Sequence, residues 1–272
     1  MSKIAFIGGG NMATAILGGL IENGYNSQNI LVSDSSQEKL VQLKDQFKVQ
    51  TFNDNQAAAE QADIIMLAVK PQVMQQVIAP LATTFKNKKP LIISIAAGIS
   101  LESLSKWTDP SLAIVRCMPN TPALVQKGAS GLLANSNVSA TQKQLTDDIL
   151  KAVGLSVWVN SEQDLDAVTA LSGSGPAYFF LFIEAMINAG EKLGLEAETA
   201  KLLALQTALG AATMAAKSAD EPAQLRKNVT SPNGTTEQAI LTFQNLKLED
   251  TVSKAMQAAF NRSIELSEEL GK

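Results

Sequence analysis

Residues 228–240, NVTSPNGTTEQAI, place several hydroxyl side chains around a turn in a part of the chain otherwise rich in Ala and Leu. Proline and Gly234 predict the turn, and Thr235 and Thr236 stand where the next helix begins. The pattern supports two interpretations equally. Either a threonine caps the helix and the turn is only a connection, or Ser231, both threonines and free backbone N–H groups form an anion site for a substrate carboxylate.

A second candidate site lies near the N-terminus, where FIGGGNMA follows a short apolar stretch and opens a helical pattern. Gly8-x-Gly10-x-x-Ala13 fits the dinucleotide-binding fingerprint. Gly8 permits the tight turn, Gly10 lets the backbone approach a pyrophosphate, and Ala13 keeps the helix against the strand. The alternative is a glycine turn without a ligand. A strand, a helix and a further strand in the required order favour the dinucleotide.

An acidic residue follows the second predicted strand, Ile30 to Ser33, at the distance where a carboxylate meets the adenosine ribose. Asp34 there would accept hydrogen bonds from both ribose hydroxyls and repel a 2′-phosphate, which favours NADH. The alternative is a solvated loop aspartate. Ser35, Ser36 and Lys39 could instead bind a 2′-phosphate, so the choice between NADH and NADPH stays open.

The residue types that are missing exclude several kinds of chemistry. The 272-residue chain has no histidine, which excludes Ser-His-Asp and Cys-His nucleophile systems and a histidine acid. Cys117 alone argues against a metal site and an internal disulfide, and it suits the cytoplasm. A net charge of −4 gives no footprint for nucleic acid. We expect no apolar run of the length of a membrane span, and therefore no membrane association.

Strand and helix patterns alternate through the first part of the chain, which predicts a doubly wound parallel sheet of the Rossmann type over residues 1–160. Buried strands are predicted in KIAFI, ILVS, DIIMLAVKP, PLIISIAAG and LAIVRCMPNTP, and GASGLLAN and SVWVN are predicted to extend the sheet. Ligands bind beyond the carboxyl ends of such strands. The loops AVKP, IAAG and MPNTP are therefore expected on the same edge as the glycine turn.

Residues 161–272 show only helical patterns and predict an all-α domain for dimerisation and substrate binding. The longest apolar segment is interrupted by Gly173 to Pro176, so a new helix is expected there with Ser174 or Gly175 as its cap. The helices that follow are apolar on more than one face. We expect them to bury this surface against a second copy of the chain, although a self-contained bundle is the alternative.

Six motifs, in the order FIGGGNMA, LAVKPQ, SIAAG, RCMPNTPA, LSGSGPAY and NVTSPNGTTEQAI, resemble the pyrroline-5-carboxylate reductase family over nearly the whole chain. The resemblance implies NAD(P)H-dependent reduction of 1-pyrroline-5-carboxylate, a cyclic imine with a carboxylate, to L-proline in the last step of proline biosynthesis. It implies a Rossmann domain followed by a helical domain that interlocks between two subunits. Some members assemble five dimers into a decamer.

The family pattern and the fingerprint together define the candidate site residues. Those expected to contact NADP(H) or NAD(H) are Gly8, Gly9, Gly10, Asn11, Met12, Ala13, Asp34, Ser35, Asn55, Ala68, Val69, Lys70, Pro71, Ile95, Ala96 and Ala97. Those expected at the substrate are Asn120, Ser174, Ser231, Gly234, Thr235 and Thr236. Many family members favour NADPH and carry other residues after the second strand, so Asp34 puts that preference in doubt.

The chemistry of an imine agrees with a chain that lacks histidine. A carbonyl needs an acid to protonate the developing alkoxide, whereas an imine nitrogen is already a base and can arrive protonated. The hydroxyl of Thr236, or water, can serve this nitrogen. Two other functions remain open. One is an NAD(P)-binding sensor, which needs no carboxylate turn. The other is a β-hydroxyacid dehydrogenase-like enzyme, which would use a lysine acid on a helix, but the segment SGSGPAY has no lysine at that spacing.

Overall fold

The computed structural model describes residues 1–271 and divides into two compact units. The sheet unit comprises Met1–Ser174 and the chain from Ala259 onward, and the helical unit comprises Gly175–Ala258. This division differs from the predicted boundary at residue 160. Asp166 is buried in the sheet unit and accepts a hydrogen bond from the hydroxyl of Ser263 at 2.6 Å, which ties the end of the chain back to that unit.

An eight-stranded sheet forms the centre of the sheet unit, in the order β3-β2-β1-β4-β5-β6-β7-β8. The strands are β1 Ile4–Ile7, β2 Ile30–Ser33, β3 Gln50–Phe52, β4 Ile64–Leu67, β5 Leu91–Ser94, β6 Ile114–Met118, β7 Gly128–Ala134 and β8 Gly154–Trp158. The predicted strands are all present, and β3 is an addition. Only the pair β6 and β7 is antiparallel. Their connection is too short for the crossover of about a dozen residues that a parallel pair needs.

Helices cover both faces of this sheet, as a doubly wound fold requires. They are α1 Asn11–Glu22, α2 Gln37–Phe47, α3 Asn55–Ala59, α4 Met74–Ile78, α5 Ala82–Lys88, α6 Leu101–Trp107 and α7 Ala140–Lys151. Alternate residues of β1 face opposite sides: Ile4 and Phe6 pack with α1, α2 and α7, and Ala5 and Ile7 pack with α3 to α6. The fold therefore leaves the carboxyl edge of the strands as the place for a ligand.

The chain does not break at residues 173–176, where an interruption was expected. Helix α8, Glu162–Val168, continues through a π-helical turn, Thr169–Gly173, into α9, Gly175–Lys192. The N–H of Ser174 donates to the carbonyl of Thr169 at 2.8 Å, so Ser174 continues the helix and does not cap a new one. The prediction failed because glycine and proline can be accommodated by a π turn, with its longer-range hydrogen bond.

Because α8, the π turn and α9 are continuous, the resulting helix is longer than the sequence pattern indicated. By length and composition alone, Glu162–Lys192 could cross a membrane, contrary to the expectation that no apolar run has that length. A single helix of this kind is weak evidence for a membrane span, because the buried core helix of a soluble protein can have the same length and composition. Its composition matches that of a helix which packs against other protein on several sides.

The helical unit begins with α9 and continues with α10 Ala197–Lys217, α11 Pro222–Asn228, α12 Thr235–Asn245 and the first part of α13 Leu248–Leu270. Helix α9 packs on α10, and the rings of Phe182 and Phe243 lie 6.0 Å apart. Phe179 and Phe180 nevertheless remain 69% and 66% exposed. One chain therefore leaves a broad apolar surface of this unit open to solvent.

Candidate active site

The loops that follow β1, β4 and β5 lie side by side at the carboxyl edge of the sheet. The N–H of Gly8 donates to the carbonyl of Ser33 at 2.8 Å, and that of Ala68 to Ile7 at 2.9 Å. Ile95 continues the same pattern on the next strand. These bonds extend the ladder beyond the regular strands. The structure thus brings together the predicted glycine turn and the loops Ala68–Pro71 and 95–97.

The glycine turn has the backbone geometry that the fingerprint predicts. Gly8 has φ of +102°, and a Cβ placed on it would lie 2.7 Å from the carbonyl oxygen of Ala68, so no other residue fits without a shift. A Cβ on Gly10 would meet nothing within 4 Å. Gly10 is also the N-cap of α1 and offers no side-chain acceptor. Open space therefore lies in front of helix N–H groups, while Ala13 is buried against the sheet.

The carboxylate of Asp34 is held beside this turn. One of its oxygens accepts from the N–H of Gly9 and the other from the N–H of Ser36, both at 2.8 Å. The ammonium of Lys39 lies 3.8 Å from the first oxygen. Ser35, which lies between Asp34 and Ser36 in the chain, is exposed. A negative charge is therefore fixed at the end of β2, and a cation that could reach a 2′-phosphate lies next to it.

The side chain of Asn55 is oriented by the preceding strand. Its Oδ1 accepts from the hydroxyl of Ser33 at 2.7 Å, which turns the amide nitrogen the other way. Asn55 is the first residue of α3 and follows the N-cap Asp54. Among the remaining loop residues, Lys70 is exposed and Ala96 is buried. All predicted cofactor residues therefore belong to the sheet unit.

Asn120 and Ser174 also belong to the sheet unit, and a residue that the sequence interpretation missed lies beside them. The amide of Asn120 donates to the carbonyl and hydroxyl of Ser172 at 3.1 and 3.2 Å and accepts from the N–H of Ala129 at 2.9 Å. The involvement of Ser172 could have been predicted from Pro176, which lies four residues later in the chain. Proline has no N–H, so it cannot donate to the Ser172 carbonyl and another donor must.

The hydroxyl turn lies in the helical unit. The N–H of Gly234 donates to the carbonyl of Ser231 at 3.0 Å, and Asn233 has φ of +62°. Proline before a residue with positive φ is the signature of a type II turn. Helix α12 begins at Thr235, and its N-cap is Gly234, which provides no side-chain acceptor. The interpretation that Thr235 or Thr236 caps this helix is therefore wrong.

The side chains around this turn leave the start of α12 available to a ligand. The carboxylate of Glu237 accepts from the N–H of Asn233 at 2.8 Å, ahead of the helix. Ser231, Thr235 and Thr236 are exposed within the single chain. Hydroxyls and first-turn N–H groups thus lie together at the positive end of the α12 dipole. This combination can bind a carboxylate.

Chemistry through the single thiol is excluded by its surroundings. Cys117 lies on β6 and is buried. Burial raises the pKa of its thiol to about 12, although a hydrogen bond with Ser130 acts in the opposite direction. The thiol is therefore neutral at physiological pH and is no nucleophile. Within residues 1–271, no three His, Cys, Asp or Glu side chains are grouped as a metal site would require.

Comparisons with known proteins match both units. A family model described as pyrroline-5-carboxylate reductase dimerisation matches residues 162–266, and one described as NADP oxidoreductase coenzyme F420-dependent matches residues 3–98. A pyrroline-5-carboxylate reductase of Pseudomonas aeruginosa is 52% identical over 99% of this chain and 98% of its own length. One from Haemophilus influenzae is 46% identical over 97% of each chain.

Solved structures agree with these relatives. The structure of a pyrroline-5-carboxylate reductase from Coxiella burnetii superimposes with a TM-score of 0.95 at 48% identity and covers 98% of each chain. The Plasmodium falciparum enzyme, solved with NADP bound, gives a TM-score of 0.86 at 32% identity over 98% of each chain. The fold described above is thus shared with both solved proteins over 98% of their length.

Proposed function

Since the chain belongs to the pyrroline-5-carboxylate reductase family, we propose that the carboxyl edge of its sheet holds NAD(P)H and that its hydroxyl turn holds the substrate carboxylate. The reaction is the reduction of 1-pyrroline-5-carboxylate to L-proline, the last step of proline biosynthesis. The observation that most supports this proposal is the N-terminus of α12, which has hydroxyls around it and no side-chain cap. Identity to reductases over the full length disfavours a sensor or a β-hydroxyacid dehydrogenase.

The sheet unit supplies the cofactor site. The first-turn N–H groups of α1 hold the pyrophosphate in the open space before Gly10, and Asp34 or its neighbours hold the adenosine ribose. Asn55 and the loops 68–71 and 95–97 line the rest of the edge. When bound, NAD(P)H supplies the hydride. The chain itself supplies only the binding and the orientation.

The helical unit supplies the substrate anchor. The carboxylate is fixed by the hydroxyls of Ser231 and Thr235 and by the N–H groups at the start of α12, because this helix end carries partial positive charge. A rigid turn shaped by Pro232 and Gly234 keeps these donors in place. Holding a substrate in near-attack geometry can contribute about 7–11 kcal/mol to catalysis.

Thr236 is the residue we assign to the reacting nitrogen. Its hydroxyl accepts a hydrogen bond from the protonated imine nitrogen, which keeps its proton while the C=N bond becomes the C–N bond of the amine. The substrate can arrive as the protonated iminium, so no strong acid is required. This explains how the site works in a chain without histidine and with its thiol neutral.

The assembly follows from the helical unit. The chain forms a homodimer through its dimerisation region, residues 162–266. A decamer of five dimers is a proposal that rests on resemblance to other family members. We also place the protein in the cytoplasm, where its single buried cysteine stays reduced.

The substitution Thr235→Val tests the carboxylate anchor and Thr236→Val tests the contact with the reacting nitrogen, because each keeps the side-chain shape and removes the hydroxyl. We expect kcat/KM for pyrroline-5-carboxylate to fall by about one to two orders of magnitude, as for the loss of a charge-assisted hydrogen bond. Affinity for NADH or NADPH should not change. The melting temperature should also hold, because Gly234 and not Thr236 is the N-cap.

Thr242→Val is the matched control. Thr242 lies on the same helix, and its hydroxyl donates to the carbonyl of Gln238 at 2.9 Å. The control should keep wild-type kinetics. If Thr235→Val and Thr236→Val both have wild-type steady-state kinetics as well, the hydroxyl turn is not the substrate site.

A further inference from the structure

The side-chain amide of Asn120 is engaged by protein atoms at both of its ends. Its nitrogen donates to the carbonyl and hydroxyl oxygens of Ser172, and its oxygen accepts from the N–H of Ala129. The N–H of Ala129 fixes which end of the amide is oxygen, because a donor must face an acceptor. Asn120 is also 8% exposed. A direct contact with substrate through this amide nitrogen would require these bonds to break.

The three residues close a ring of hydrogen bonds. Ser172 not only accepts from Asn120 but also donates its hydroxyl to the carbonyl of Ala129 at 3.1 Å. Asn120 follows β6, Ala129 lies at the start of β7, and Ser172 lies in the π turn. The ring therefore fastens the π turn to the carboxyl edge of the sheet. We call Asn120, Ala129 and Ser172 the rim clamp.

Two residues that follow Ser172 allow the π turn to be held at the carboxyl edge of the sheet. Pro176 leaves the carbonyl of Ser172 without its regular helical donor, and Asn120 supplies the replacement. Gly173 lets the turn come close, since a Cβ there would lie 2.6 Å from the methyl carbon of Met118 on β6. The turn ends where the N–H of Ser174 donates to Thr169. The clamp thus sets the position of Ser174.

The clamp lies next to the cofactor loops. Strand β6 pairs with β5, and neighbouring strands are about 5 Å apart. The end of β6, where the clamp lies, is therefore beside the loop 95–97 that follows β5. The rim clamp therefore lies at the same sheet edge that we assign to NAD(P)H.

From these contacts we infer that Asn120 is a positioning residue: through Ser172 it fixes the π turn so that the hydroxyl of Ser174 meets the substrate beside the cofactor edge. This inference rests on the proposed function. It replaces the expectation of a direct contact between Asn120 and substrate with an indirect effect. π turns inside helices are frequent at functional sites.

The experiment uses the full-length protein and the variants Asn120→Ala, Ser172→Ala and Ser174→Ala, alone and as the doubles N120A/S174A and S172A/S174A. A displacement of about 1 Å in a site can cost on the order of 100-fold in rate. We expect Asn120→Ala and Ser172→Ala each to lower kcat/KM on the order of 10-fold or more, with the Kd of NADPH unchanged. In the Ser174→Ala background, either substitution should have little further effect, since the clamp acts through Ser174.

Two results would overturn the inference. One is full additivity of the clamp substitutions with Ser174→Ala. The other is wild-type kinetics in Asn120→Ala, because that substitution removes the hydrogen bonds to both oxygens of Ser172. Ser172→Ala removes only one hydroxyl and keeps the acceptor carbonyl, so it serves if Asn120→Ala does not fold.

Ser139→Ala is the control for stability. Ser139 caps α7, away from the edge, and accepts from the N–H of Gln142. Loss of such a cap should lower the melting temperature by about 2–4 °C and leave kinetics intact. Failure of the proposed function is separable, because a wild-type protein without pyrroline-5-carboxylate reductase activity would refute that function before any variant is compared.

Discussion

At the scale of a single residue, we expect the carboxylate of Asp34 to decide the cofactor preference. Its position after β2 is readable from the sequence, because an acidic residue there follows a strand at the ribose-binding distance. Its two bonds to the N–H groups of Gly9 and Ser36 are not readable, since they depend on how the glycine turn folds back. These bonds hold the charge in place, which should make its repulsion of a 2′-phosphate effective.

We therefore expect NADH to be used at least as well as NADPH, and Asp34→Ser to shift the ratio of the two kcat/KM values toward NADPH by about tenfold or more. Asp34→Asn is the matched control, because it removes the charge and keeps one oxygen for a backbone N–H. Steady-state kinetics with both cofactors measure the ratio. A wild type that strongly prefers NADPH, with unchanged preference in both variants, would show that Asp34 does not face the ribose.

Asn120 shows the limit of residue-level prediction. Its type and its place after β6 indicate a polar residue at the edge of the sheet, and the family pattern places it near the substrate. Which groups its amide contacts depends on Ser172, far away in sequence. Thr235 and Thr236 show the same limit, because the local pattern could not decide between a threonine cap and an anion site, whereas the structure has Gly234 as the N-cap.

Elements with strong apolar patterns were predictable, and those with weak patterns were not. Strands β1, β4 and β5 are buried along their whole length and read as continuous apolar runs. Strand β3 has three residues, all half-buried, and α2 buries only Leu40 and Leu43. Neither was assigned from the sequence. Burial supplies the pattern, so an edge strand and a mostly solvated helix give little signal.

The glycine turn and the start of α1 together form the predicted dinucleotide site, and Gly10→Val tests this prediction. Gly10 has φ of −75°, and a Cβ there has free space, so the fold should tolerate the side chain. The side chain would occupy the approach of the pyrophosphate. We expect dinucleotide affinity, measured by calorimetry, to fall at least about tenfold with little change in melting temperature.

Gly8→Ala is the informative contrast, since its positive φ and its contact with the Ala68 carbonyl leave no space. That variant should lose stability as well as binding. Unchanged dinucleotide affinity in Gly10→Val would mean that the fingerprint is only a turn.

At the scale of the whole molecule, the helical unit cannot be understood from one chain. Among the residues of α9 and α10 only Gly175, Ala200 and Ala204 are buried, while Phe179, Phe180 and Leu181 are each at least 66% exposed. The sequence already indicated this surplus of apolar surface, because the pattern runs around the helices. What covers each face could not be predicted, since it depends on a second copy of the chain.

We expect the wild-type protein to be a dimer, or a multiple of dimers, with no stable monomer at low micromolar concentration by light scattering. The double substitution F179E/F180E should release subunits, because burying one aromatic side chain contributes about 1.5–3 kcal/mol and a symmetric dimer counts each change twice. The dissociation constant should rise by at least about a thousandfold. Val41→Glu, on the exposed side of α2, is the control and should leave the mass unchanged. A well-folded wild-type monomer under these conditions would mean that the helical unit is stable with its apolar surface exposed, and the need for a second copy would disappear.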